Sequence, residues 1–212
     1  MAKMSNIDYM MFKIRGRIVK VDPDIYYKIR NPGYERPCRK YNGDITEMRL
    51  SKDGYPIIVC GKKTPHRHIV LSRFVMDAPK GKIVDHINRD PLDNRRQNLR
   101  IVTPRQNCLN KKYKNKSGFI GVSCFSWKGR YYCTASHRTK EDNRLRASFI
   151  DTPQNRIIAA LARDKFVLQT GDEEYAPLNF AYFRNEPFRS FLLAADLRAM
   201  AKRDRQKKAG GL

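Results

Sequence analysis

This 212-residue chain has no stretch near the about 18 consecutive apolar residues that a membrane span needs, and no signal-peptide hydrophobic region. Both absences argue against a membrane or secreted protein and predict a cytoplasmic one. The five cysteines, Cys38, Cys60, Cys108, Cys124 and Cys133, form no C-x-x-C pair, so a zinc ribbon is disfavoured and no zinc is expected. An odd count without a secretion signal reads as reduced thiols, each a small buried hydrophobe. No internal repeat is evident. Acidic residues are scarce: 21 Asp and Glu stand against 44 Lys and Arg, a formal net charge of +23. A globular chain repels itself at such a balance unless a polyanion relieves it, so nucleic acid is the expected partner. An anionic membrane surface is the competing polyanion, and the lack of any long apolar run weighs against it.

The length allows one large domain or two to three small ones. Small modules have marginal cores and draw support from a metal, a partner or bound nucleic acid. Composition and turn signals divide the chain into residues 1–66, 67–116, 117–180 and 181–212. The second segment is the most basic, with 13 Lys and Arg against four Asp and Glu. The first reads as short strands and turns: Phe12–Val21 has strand composition with a break at Gly16, Pro32-Gly33 and Lys52-Asp53-Gly54 signal turns, and Tyr55–Cys60 is a second strand closed by Gly61. A short helix is expected near His68–Met76. Lys111, Lys112, Lys114 and Lys116 make a basic bridge, read either as a solvated linker or as an arm tracking a nucleic-acid backbone.

Residues 117–180 predict three strands, Phe119–Phe125, Arg130–Ser136 and Arg144–Ile150, followed by one helix. Thr152 supplies its N-cap, Pro153 its first position, and Gly171 its end. Residues 117–150 hold six basic and two acidic side chains, while 151–180 hold three and five. A positive sheet backed by a less positive helix is what a DNA-facing sheet requires. The last segment predicts a C-terminal helix with Phe191, Leu192, Leu193, Ala195, Leu197 and Met200 apolar, then a basic stretch Lys202–Lys208. The fold class is α+β.

The chemistry concentrates between Ile83 and Asn107. Ile83-Val84 is an apolar strand end leading to Asp85-His86, Asp90-Pro91 is a turn, and Leu99–Val102 is a second strand. Thr103-Pro104-Arg105-Gln106 then has the pattern of a capping box, with Thr at the N-cap and Gln three residues on. Strand, loop, strand and helix in this order bring Asn107 back over the strand that carries Asp85. Cutting a phosphodiester requires a water to be deprotonated, charge on the phosphate to be neutralised, and the leaving oxygen to be stabilised. Histidine suits the first task because its pKa lies near working pH. A divalent metal suits the other two, and Asp and Asn oxygens suit Mg²⁺ or Mn²⁺.

These residues resemble phage and intron-encoded HNH homing endonucleases with the ββα-metal fold. The resemblance runs from about Leu71 to Asn110 and rests on Asp-His, then Leu92-Asp93-Asn94-Arg95, then Asn98-Leu99-Arg100, then Gln106-Asn107 in the following helix. It implies that Asp85 and Asn107 are metal ligands and His86 the general base, with Asn98 holding the histidine or the loop. Arg73, Arg95, Arg96 and Arg100 are the nearby cations expected to clamp the DNA backbone. Ser72–Gly81 resembles the family's entry segment, with Ser72 standing where a histidine is common.

Residues 117–180 are similar to the plant ethylene-response-factor DNA-binding domain, on Ser117-Gly118-Phe119-Ile120-Gly121-Val122, Gly129-Arg130-Tyr131, Phe149 and Ala176-Pro177-Leu178-Asn179-Phe180. Tyr131 stands where that family usually has Trp. The resemblance implies a three-stranded sheet in the major groove, with Arg130, Arg138, Arg144, Arg146 and Trp127 as contacts. The expected function is a site-specific, Mg²⁺- or Mn²⁺-dependent DNA endonuclease of the homing type, acting on double-stranded DNA and favoured as a monomer. The alternatives are a DNA-binding regulator with an inert nuclease fold and an RNA-binding basic protein.

Overall fold

The computed structural model describes residues 9–30, 45–60, 67–111 and 115–201. The expected features at Pro32-Gly33, Cys38, Gly61, Lys112, Lys114 and Lys202–Lys208 lie outside the described residues. The chain forms two compact units, Met1–Cys108 and Leu109–Leu212. It is mixed α and β, with several small antiparallel sheets and short helices. No helix among the described residues is long and apolar enough to cross a membrane.

In the first unit, β1 (Met10–Ile14) and β2 (Arg17–Val21) pair as a hairpin, and the expected break is its two-residue turn, Arg15-Gly16, at φ 49° and 78°. The next element is α1 (Pro23–Arg30), where sequence reasoning expected only strands and turns. Pro23 pre-sets the first helical φ, and Ile25 and Ile29, four residues apart, bury one stripe. Strand β3 (Ile45–Leu50), β4 (Pro56–Cys60) and β5 (Arg67–Val70) form a sheet in that order. Helix α2 (Leu71–Val75) follows directly. The helix expected from His68 therefore starts three residues later, because His68 and Ile69 are taken up by pairing with Val59 and Ile58 on β4. Strand β6 (Ile83–His86), β7 (Leu99–Val102) and α3 (Pro104–Leu109) complete the unit. One core holds Val19, Val21, Ile58, Leu71 and Leu99, so the segment before residue 66 and the stretch after it bury their apolar faces together.

The second unit holds β8 (Val122–Trp127), β9 (Arg130–Arg138) and β10 (Arg144–Ile150), with β9 central, packed against α4 (Pro153–Gln169). The Thr152 hydroxyl accepts the Asn155 N–H at 3.1 Å, as an N-cap should, and Gly171, at φ 66°, follows the last turn. Val122, Cys133, Ala135, Ala147 and Phe149 face Ala159, Ala160 and Val167 of the helix. The first strand begins three residues later than expected. Phe119–Gly121 instead form a turn tied to the far end of the unit: Ile120 N–H donates to Asn179 Oδ1 at 2.7 Å, and Asn179 Nδ2 donates back to Ile120 O at 3.1 Å. Gly121 is required there, since a Cβ would stand 2.7 Å from Arg163 Cγ at a φ of 70°. The C-terminal helix is two pieces, α5 (Phe188–Ala194) and a helical stretch from 197 to 201. Asp196 breaks it by capping the second piece, its Oδ1 accepting from Arg198 N–H and Ala199 N–H at 3.1 and 3.0 Å. Cys60 and Cys133 are buried as expected, and burial pushes the Cys133 thiol up to about 11. Cys108, by contrast, is exposed, at the C-terminal end of α3.

Asp164, wholly buried, is the polar anchor of this unit. It accepts from Asn179 N–H, Asn179 Nδ2 and Phe180 N–H at 2.9, 3.1 and 2.9 Å and pairs with buried Arg163 at 3.3 Å. Asp164→Ala would strand these donors and a buried guanidinium. A loss of about 3–5 kcal/mol is expected, read as a fall in the urea midpoint of this unit. A midpoint unchanged within error would remove the anchor role.

Candidate active site

Strands β6 and β7 form an antiparallel ribbon with Asp85 opposite Arg100 and His86 opposite Leu99. Asp85 and His86 are only 8% and 7% exposed, and ionisable groups at that burial need partners. Arg100 donates from Nε and Nη2 to the single oxygen Oδ2 of Asp85, at 2.9 and 2.8 Å. His86 Nε2 lies 3.3 Å from Asn94 Oδ1, and the Tyr55 ring stands 6.2 Å away, centroid to centroid. Burial holds the His86 imidazole below its ordinary pKa, opposed by the Asn94 bond and by Asp85, Asp90 and Asp93. The neutral imidazole, the form able to take a proton, is thereby favoured at neutral pH.

The loop between the strands is cross-linked by its own amides. Asn98 Oδ1 accepts the Asn88 N–H at 3.0 Å, while Asn98 Nδ2 donates to Asn88 Oδ1 and Asp93 O at 2.9 and 2.8 Å. Asn88 Nδ2 and the Arg95 guanidinium both reach the Asp93 carboxylate, at 3.0 and 2.8 Å. Asp22 and Asp24, at the start of α1, hold Arg96 at 3.2 and 2.6 Å. The expected capping box forms: Gln106 N–H donates to the Thr103 hydroxyl at 3.2 Å, and Thr103 N–H to Gln106 Oε1 at 2.9 Å. Val102 pairs with Ile83, so α3 starts from the end of the ribbon that lies two residues from Asp85, and half-buried Asn107 sits at the fourth position of that helix.

The ribbon and its loop thus gather Asp85, His86, Asn98 and Arg100. The arginines expected to clamp DNA are engaged inside the unit: Arg100 with Asp85, Arg95 with Asp93, Arg96 with Asp22 and Asp24. Arg73 donates to the carbonyls of Ala78, Pro79 and Lys82, pinning the turn that leads into β6. In the other unit, Lys111 and Lys116 are exposed. Strand alternation there puts Phe125, Trp127, Arg130, Tyr132, Arg138, Arg144 and Arg146 on the sheet face turned away from α4. Trp127 is 58% exposed with the Lys128 ammonium over its ring at 4.7 Å, Arg138 pairs with Asp142, and Arg130, Arg144 and Arg146 are exposed. Sequence reasoning assigned no role to Asn94, Asn88 or Asp93. Asn94 and Asp93 do belong to the Leu-Asp-Asn-Arg stretch that carried the resemblance, which was the available signal.

A family described as HNH endonuclease matches residues 65–109. HNH endonuclease L560 of Acanthamoeba polyphaga mimivirus, itself uncharacterized, is 40% identical over 76 residues, 35% of this chain and 41% of that protein. Protein 3.8 of Escherichia phage T7 is 34% identical over 84 residues, 38% of this chain and 69% of its own length. YosQ of the SPbeta prophage of Bacillus subtilis (strain 168), whose name carries the words HNH homing endonuclease, is 48% identical over 44 residues, 21% of this chain and 25% of that protein. The chain belongs to the HNH endonuclease family. It spans less than half the length of the mimivirus and Bacillus proteins. No solved structure matches.

Proposed function

We propose that this chain is a metal-dependent, site-specific DNA endonuclease of the homing type in which His86 is the general base. The observation that carries the reading is the buried Asp85-His86 pair at the end of a β-strand whose partner strand runs directly into a capped helix bearing Asn107. Asp85 and Asn107 offer a carboxylate and a carboxamide oxygen, a hard donor set that fits one Mg²⁺ or Mn²⁺ with room for phosphate and water. Among the described residues no group of three or more His, Cys, Asp and Glu side chains is placed to hold a metal, so the proposed donor set is this carboxylate, this carboxamide and solvent. Held by Asp85 and Asn107, a divalent cation would supply Lewis acidity to the phosphate and the leaving oxygen. Arg100 holds the Asp85 carboxylate in place, and Asn98 holds the loop. His86 takes a proton from a water whose oxygen attacks phosphorus, and the opposite P–O bond breaks with its electron pair on the leaving sugar oxygen, which takes a proton from solvent. A single centre of this kind cuts one strand at a time, so a monomer leaves a nick. Incubation with double-stranded DNA flanking its own coding sequence and Mg²⁺, with breaks mapped on each strand, tests the reading. No strand scission on any DNA would favour a regulator with an inert nuclease fold.

Site choice is assigned to the sheet of the second unit, acting like an ethylene-response-factor domain. Support comes from four arginines and Trp127 on one exposed face, with Lys111, Lys112, Lys114 and Lys116 as the arm before it. Arg130, Arg144 and Arg146 changed together to Ala are expected to weaken DNA binding and flatten its dependence on log salt. The slope should fall by about 0.9 for each phosphate no longer neutralised. A salt slope identical to that of the unaltered protein would reject this face. Removing residues 117–212 should relax site choice while leaving the cutting centre, and undiminished specificity in that truncation would reject the division of labour.

A further inference from the structure

We infer that Asn94 is a positioning residue for the general base, fixing the His86 ring as the Nε2–H tautomer and so assigning the proton-accepting lone pair to Nδ1. The inference rests on the proposed role of His86 and names how the fold sets it. Asn94 is wholly buried, so no bulk water competes for its amide. Its Nδ2 donates to Pro91 O at 2.9 Å, which turns Oδ1 toward the imidazole, 3.3 Å from Nε2. A carboxamide oxygen only accepts, so Nε2 must carry the hydrogen. In a neutral imidazole the other nitrogen then holds the lone pair, and the bond made by one ring nitrogen decides the chemistry of the other.

What holds Asn94 comes from far away in the chain. Its N–H donates to Lys20 O at 2.8 Å, and Lys20 N–H donates to Leu92 O at 2.8 Å. Strand β2 thereby grips both sides of Asp93, and the two segments form a parallel bridge at Lys20 and Asp93. The matched family segment begins at residue 65, yet the backbone that seats Asn94 is completed by residue 20. The N-terminal hairpin is accordingly part of the positioning apparatus of the base.

The test reads the ring itself, without DNA, metal or turnover. In full-length protein labelled with ¹⁵N at histidine, long-range ¹H–¹⁵N spectra distinguish the two tautomers, and the signal missing from His86→Ala identifies His86. The unaltered protein is expected to show Nε2–H alone, Asn94→Leu a mixture of both tautomers, and Asn94→Asp, which keeps an acceptor, Nε2–H again. In single-turnover cleavage, Asn94→Leu should lose about 10- to 100-fold in rate at unchanged DNA affinity, with Asn94→Asp closer to the unaltered protein. An Nδ1–H signal in the unaltered protein, or an Asn94→Leu spectrum identical to it, would overturn the inference. If Asn94→Leu does not fold, the tautomers of the unaltered protein and of Asn94→Asp still decide. An Nε2–H ring in a protein that cuts no DNA would sink the nuclease reading and leave the tautomer assignment standing.

Discussion

His86→Ala is expected to lower single-turnover strand cleavage by about 10²- to 10⁴-fold, the range that a positioned general base contributes. DNA affinity in a gel-shift titration should be nearly unchanged. The reason is where the ring sits. At 7% exposure it offers little surface to a polyanion, and burial keeps it neutral, so it adds little charge to binding. Its contribution falls on the step in which a proton leaves water. A variant that cuts as fast as the unaltered protein would end the general-base role. A variant that loses binding and cutting in parallel would place His86 in the DNA interface instead.

The second large effect is metal removal. EDTA is expected to stop cleavage, with Mg²⁺ or Mn²⁺ restoring it, because the proposed donors are hard oxygens and the neighbouring cation, Arg100, is already paired with Asp85. Asp85→Ala should raise the Mg²⁺ concentration for half-maximal cutting by at least the about 10- to 100-fold that even an outer partner of a metal ligand commands. Asn107→Ala should act in the same direction. Cleavage that persists at full rate in excess EDTA would refute the metal site for both residues at once.

Much of the site is legible in the sequence. The strand end expected at Ile83-Val84 runs on two residues, to His86, whereas the Thr103–Gln106 capping box announces α3 and Thr152-Pro153 announces α4 as found. These are local signals: a cap is satisfied by donors within one turn, so adjacent residues suffice to specify it. The arginines were harder. Their density points to a polyanion partner, but density does not say which guanidinium is already committed. Arg95 and Arg96 are neighbours of identical chemistry. One closes on Asp93, two residues away, and the other reaches Asp22 and Asp24, more than 70 residues away. Helix α1, which supplies those carboxylates, was itself missed in a segment read as strands.

The sequence by itself determined the kind of chemistry available here. It placed Asp, His and Asn at the spacing of a strand–loop–strand–helix unit, gave the chain its large positive charge, and alternated exposed arginines with buried apolar residues along β9 and β10. The tertiary structure decided the state of those groups. It buried Asp85 and His86, set Arg100 opposite Asp85 through strand register, and brought Lys20 of β2 against Asp93 so that Asn94 faces the imidazole. The physical reason is that charge and local propensity belong to residues and their neighbours. Desolvation, register and hydrogen-bond partnership depend on which distant segments pack together, and these set the orientation and protonation of an ionisable side chain.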